Sequence, residues 1–157
     1  MRRKPFIRFT LGLSIICATQ APAQAVGHSN FHLKVVTSTC SKSEISGGEA
    51  HIKKQMSAFK SKNLSKAYSY ASKEFKVSKS SKQFEEIIQT NYPMLIGHKN
   101  YSITYCDKSS QLYMFILNLV DSKNASWEVR YLLSNFKGIW GVEAAAAAPI
   151  DTTKLKP

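Results

Sequence analysis

A chain of 157 residues is one domain's worth of protein, and its 43 % apolar and 11 % aromatic residues suffice for an ordinary packed core. This excludes a disordered chain, which needs low hydrophobicity as well as high charge, and three cysteines are too few for a disulfide-built scaffold. The 22 Lys and Arg residues against 10 Asp and Glu give a formal charge of +12, which taken alone points to a nucleic-acid partner.

Residues 1–25 read as a secretory signal peptide. A basic head, Met1-Arg2-Arg3-Lys4, precedes an apolar run from Phe6 to Ala18 that Arg8 and Thr10 interrupt, and Ala21-Pro22-Ala23-Gln24-Ala25 supplies the small-x-small end. The run is shorter than the ~20 apolar residues a membrane-spanning helix needs. The expected route is Sec export, to a periplasmic or extracellular location. Cleavage is expected after Ala23 or Ala25, the second leaving more distance from the apolar run. Loss of Arg2, Arg3, Lys4 and Arg8 takes four from the charge and leaves +8. All remaining cations except Arg130 are lysines, spread over the chain rather than clustered with aromatics. Bidentate phosphate or base readout favours arginine, so nucleic acid is not the expected partner. Diffuse attraction to an anionic envelope surface remains an alternative.

Residues 26–48 read as a flexible leader with a short strand at Leu33–Ser38, closed by the helix-breaking pair Gly47-Gly48. The folded domain is expected over residues 49–150, with 151–157 as a disordered tail. Ile52, Met56 and Phe59 then form the apolar stripe of a first helix. Asn63 stops it and caps a short second helix carrying Leu64, Ala67, Tyr68 and Ala71. Ser72 to Ser81 reads as a polar loop anchored inward by Phe75 and Val77. Ser80-x-x-Gln83 is a capping box for a third helix with Phe84, Ile87, Ile88 and Tyr92, which Pro93 ends. Strand spacing follows. Tyr101, Ile103 and Tyr105 alternate with polar residues, Leu112 to Val120 is an apolar run expected to be covered on both faces, and Trp127, Val129, Tyr131 and Leu133 alternate again. After the turn Asn135-Phe136-Lys137-Gly138, Ile139 to Ala144 forms a fourth strand. Three helices followed by a four-stranded antiparallel meander predict an α+β domain with a curved sheet wrapped over the helices.

Export leaves Cys40 and Cys106 where disulfides persist. Either they pair, closing a loop of about 67 residues worth about 4 kcal/mol, or Cys106 is buried on a strand and Cys40 is free in the leader. Cleavage after Ala25 would expose Val26-Gly27-His28, whose terminal amine, two amides and imidazole suit square-planar Cu(II) or Ni(II). No other cofactor is expected, and His51 and His98 read as surface residues.

Several ordered patterns resemble a bacterial family of unknown function, domain of unknown function 4864. They are Ile52-x-x-Gln55-x-x-Ala58-Phe59, Ala67-Tyr68-x-Tyr70-Ala71-Ser72, Phe84-x-x-Ile87-Ile88-x-x-x-Tyr92-Pro93, and Val129-x-Tyr131-x-Leu133 with Gly138-x-Trp140. The likeness runs from Ile52 to Trp140, beyond which Gly141-Val142-Glu143 and five alanines depart from the pattern. The resemblance implies a cone-shaped fold of the nuclear-transport-factor-2-like (cystatin-like) superfamily, a secreted setting, a pocket between sheet and helices, and a homodimer formed through the sheet. It implies no catalytic residue.

If the alternation holds, Tyr105, Trp127 and Tyr131 share the helix-facing side, with Tyr92 near the mouth of the pocket; the competing reading is that these aromatics are simply core. Glu143 is the candidate inward carboxylate. Asp107 and Asp121 read as turn acids, and Glu128 and Arg130 as a solvated pair on the convex face. The expected function is an exported, non-catalytic cone domain that binds a small ligand or a protein partner. The alternatives are an enzyme of isomerase, dehydratase or hydrolase type using the same pocket, and a charge-driven binder of envelope surfaces.

Overall fold

The structure, a computed structural model, describes residues 38–151. The signal-peptide reading, the His28 metal site and most of the expected leader lie outside these residues.

The first helix starts well before Gly47-Gly48. A two-residue strand β1 (Ser38–Thr39) leads into α1 (Lys42–Lys60). Ser41 caps it through a capping box, its hydroxyl accepting from the Glu44 amide while Glu44 Oε2 accepts from the Ser41 amide. The glycine pair expected to end the leader therefore sits inside the helix. Each glycine costs about 1 kcal/mol there relative to alanine, and packing explains their presence. A Cβ on Gly47 would lie 2.7 Å from Trp140 Nε1, and one on Gly48 2.3 Å from Phe115 Cζ. The helix crosses the sheet so closely that a side chain at either position would displace the Trp140 or Phe115 ring.

Ile52, Met56 and Phe59 are buried as the stripe predicts, joined by Gln55 and Ala58. Asn63 caps α2 (Leu64–Ser69) by accepting from the Lys66 amide. The expected polar loop contains a further helix, α3 (Lys73–Ser78), capped by Ser72. Phe75 packs against the core, but Val77 is 84 % exposed and anchors nothing. The Ser80 capping box opens α4 (Ser81–Asn91), and Pro93 starts a single 3₁₀ turn, Pro93–Leu95. Among the described residues four α-helices thus replace the three expected.

The strands are β2 (Asn100–Ser109), β3 (Leu112–Val120), β4 (Ser126–Phe136) and β5 (Ile139–Pro149). They form an antiparallel α+β meander in the order β1-β2-β3-β4-β5. One face is buried. Tyr113, Phe115, Leu117 and Leu119 of β3, with Val129, Tyr131 and Leu133 of β4, join Ile52, Met56 and Phe59 of α1 and Phe84 and Ile88 of α4 in one core cluster. Each such side chain contributes about 1.5–3 kcal/mol on burial. β3 is not covered on both faces: Met114, Ile116 and Val120 are only half-buried, because the helices pack against the other side.

Two bulges reset the alternation. Ile103 pairs with Leu117 and Tyr105 with Ile116, which leaves Thr104 as an extra residue; Glu143 is likewise extra between Leu132↔Ala144 and Leu133↔Val142. Past its turn, β5 is held on its outer side by residues 70–72. The Val142 amide donates to Tyr70 O at 3.0 Å, and the Ser72 amide donates to Val142 O at 2.9 Å.

Candidate functional site

α1, α3 and α4 enclose a cleft against β4 and β5, with a volume of about 200 Å³. Tyr131, almost fully buried, projects from the middle of β4, and its hydroxyl donates to Met56 Sδ at 3.3 Å. Burial pushes this phenol well above the ordinary tyrosine range. Gln55 lies beside it, with Nε2 donating to Ala67 O at 3.0 Å. Phe59, Phe84 and Ile88 form apolar wall, and Phe75 and Tyr68 set their rings edgewise or tilted against Phe84. Tyr92, at the end of α4, spans to the sheet, its hydroxyl donating to Ala145 O at 2.6 Å.

Glu143 completes the rim. The bulge leaves it without a partner on β4, and its Oε2 accepts from the Ser72 hydroxyl at 2.8 Å. Ser72 is itself buried and accepts from the Phe75 amide at 2.9 Å, so its hydroxyl both caps α3 and orients the carboxylate. Among the described residues no lysine or arginine lies within 4 Å of Glu143. The cleft is therefore an apolar slot with one carboxylate at its rim and no cation of its own beside it.

Of the five expected pocket residues, Tyr92, Tyr131 and Glu143 line this cleft. Trp127 packs against the core nearer the β3–β4 turn, where its Nε1 donates to Asp121 Oδ2 at 3.0 Å. Tyr105 does not share the helix-facing side. The extra Thr104 shifts the alternation by one residue, so Tyr105 points to the other face and is 44 % exposed. Phe59 and Phe84, placed on helix faces by the sequence, and Gln55, named only within the family pattern, also line the cleft, though none was assigned to a pocket.

The same bulge turns Cys106 inward, opposite the buried Phe115. Cys40 and Cys106 form a disulfide with a Cα–Cα distance of 5.9 Å. Asp121 is more than a turn acid at a strand end. It is buried, and Oδ1 accepts from the amides of Lys123 at 2.8 Å and Ala125 at 2.9 Å. Burial raises its carboxyl, but the bonds from Trp127 and the two amides outweigh this and hold it below the usual range. Glu128 and Arg130 pair at 2.8 Å on the exposed side of β4.

The histidines differ from the surface expectation. His98 is buried, its Nδ1 donating to Leu95 O at 2.9 Å, and half-buried His51 donates from Nε2 to Tyr70 O at 2.8 Å. Each ring meets a tyrosine edge-on, and burial lowers both pKa values. Among the described residues no three His, Cys, Asp or Glu side chains are placed to hold a metal ion, and no helix is long and apolar enough to cross a membrane.

A family model described as Domain of unknown function (DUF4864) matches residues 43–152, from the first turn of α1 to just past β5. No curated protein matches the chain.

Proposed function

The chain belongs to the family Domain of unknown function (DUF4864), and from that premise we propose that it is an exported, non-catalytic domain whose cleft binds a small apolar ligand with a cationic or N–H donor end. The observation that carries this reading is the Glu143 carboxylate at the rim of a slot otherwise walled by Phe59, Phe84, Ile88 and Tyr131. An apolar slot orients its ligand through a few placed polar groups. A cavity of about 150 Å³ accepts benzene, so about 200 Å³ suits a single ring with one short substituent. The cone-shaped, nuclear-transport-factor-2-like reading of the fold belongs with this proposal; its support is an antiparallel meander with helices packed on one face and the cleft between them. Export is supported by the Cys40–Cys106 disulfide, since such bonds persist in oxidising compartments.

Benzylammonium and toluene serve as paired probes for titration by NMR. Both should give saturable shifts confined to Phe84, Ile88, Tyr92 and Tyr131. Glu143→Gln should weaken benzylammonium about tenfold and leave toluene unchanged, since a charge-assisted bond is worth about 1.5–3 kcal/mol. Absence of saturable shifts at these residues would end the ligand-binding reading.

A further inference from the structure

The most exposed large apolar side chains of the described residues are gathered rather than scattered. Val77 at 84 %, Ile139 at 74 % and Phe136 at 61 % exposure line one open groove of about 710 Å³ between α3 and the β4–β5 hairpin. Isolated exposed apolar residues need no explanation, but a rimmed cluster marks a contact surface. Lysines supply the rim: Lys73 and Lys76 line the groove, and Lys137 Nζ lies 5.4 Å from the Phe136 ring centroid. Glu74 is the one acid in that lining. Phe136 and Ile139 flank the two-residue turn Lys137-Gly138, in which both residues have positive φ, 52° and 85°. This is the tight hairpin turn that matches strand twist. It fixes both side chains at the tip of two 11-residue strands.

We propose that this tip is a bilayer contact. Val77, Phe136 and Ile139 enter the interfacial layer of an anionic membrane, while Lys73, Lys76 and Lys137 face the lipid phosphates. Apolar burial and attraction to anionic lipid add in such a contact. The prongs are set by a tight turn and a capped helix, so little chain entropy is lost on insertion. All three cations are lysines, point charges suited to diffuse headgroups rather than to one paired carboxylate on a protein. Lys76 donates to Ser69 O at 2.6 Å and contributes its field from there. The groove shares only Ala71 with the ligand cleft, so this proposal stands independently of that one.

The test uses the full chain with Phe136→Trp and vesicles of two parts phosphatidylcholine to one part phosphatidylglycerol, with bromine on shallow acyl positions. The new indole should be quenched beyond whatever quenching Trp127 and Trp140 show in the unsubstituted chain. Phe136→Ser with Ile139→Ser should lower the partition coefficient at least about tenfold. Lys73→Gln with Lys137→Gln should lower it about fivefold per lysine. Every chain compared carries the same residues 1–37, so differences report the hairpin. The replaced side chains are exposed, and unchanged melting temperatures confirm folding. The proposal is overturned by no excess quenching at position 136, by equal partitioning of the double serine variant, or by equal binding to phosphatidylcholine alone. It is equally overturned if these substitutions abolish self-association or capture of an acidic protein while vesicle binding is untouched.

Discussion

Gly48 and Phe115 are in mutual contact across the helix–sheet interface, close enough that a Cβ on the glycine would overlap the ring at 2.3 Å. Position 48 lies in the second turn of α1, and Phe115 is fully buried at the centre of β3. The glycine thus sets how near the first helix lies to the sheet.

Gly48→Ala should therefore destabilise the protein. In an open helix the change would gain about 1 kcal/mol, but here overpacking should cost about 1–3 kcal/mol. The urea midpoint is the measurement, and a raised midpoint would show that Phe115 moves freely. Gly141→Ala should be worse, since its Cβ would meet the backbone Cα of Ser72 at 2.5 Å.

Reduction of the disulfide should lower stability by up to about 4 kcal/mol, the loop-closure value for a separation of 66 residues. The variant Cys40→Ser with Cys106→Ser, unreduced, should melt where the reduced parent does. A parent whose midpoint ignores reductant contradicts this.

Acid should weaken the fold in two stages. His51 and His98 have folded pKa values below 6.5, so the unfolded chain takes up protons first, and stability falls as the pH drops through 6.5. Glu44 is lowered from 4.5 to about 2 by bonds from Lys108, Ser41 and Tyr113. Its contribution is complete above pH 4.5 and is lost as the pH falls toward 2. Melting temperature against pH should show both declines, and Glu44→Gln should reduce only the lower one, leaving the part that the lowered Asp121 carboxyl contributes.

Asp121→Ala should cost about 2–3 kcal/mol, because two backbone amides and Trp127 Nε1 lose a charged acceptor. Asp121→Asn keeps an oxygen for the amides but can turn its NH₂ toward the indole donor. It should perturb the Trp127 indole proton in NMR more than it perturbs the melting temperature. Equal stability of parent and alanine variant would remove Asp121 from the turn's support.

Local signals account for what could be read in advance. The stripe Ile52, Met56, Phe59, the Ser80 capping box and the β3–β4 alternation each depend on neighbours a few residues away. Ser41-x-x-Glu44, which caps α1, is an equally local pattern, but it lies in the stretch read as a leader because Gly47-Gly48 follow it. The reason those glycines are helical lies in Phe115 and Trp140, far along the chain. The bulges were hidden for a related reason. Nothing near Thr104 or Glu143 in sequence marks an extra residue, yet each decides what its strand shows: the first turns Tyr105 out and Cys106 in, the second sets Glu143 beside Ser72. Three of five pocket residues were legible because Tyr92, Tyr131 and Glu143 belong to the elements that meet at the cleft.

The chain segment at residues 70–72 has a consequence for behaviour in concentrated solution. β5 is the last strand of the sheet, and a bare edge invites another chain to add to it and seed aggregation. Here the amide and carbonyl of Val142 are both taken, the Ala145 carbonyl receives the Tyr92 hydroxyl, and Pro149 has no N–H to offer. The edge is blunted at three heights along its length, so its alanine run is a poor template for fibrous growth.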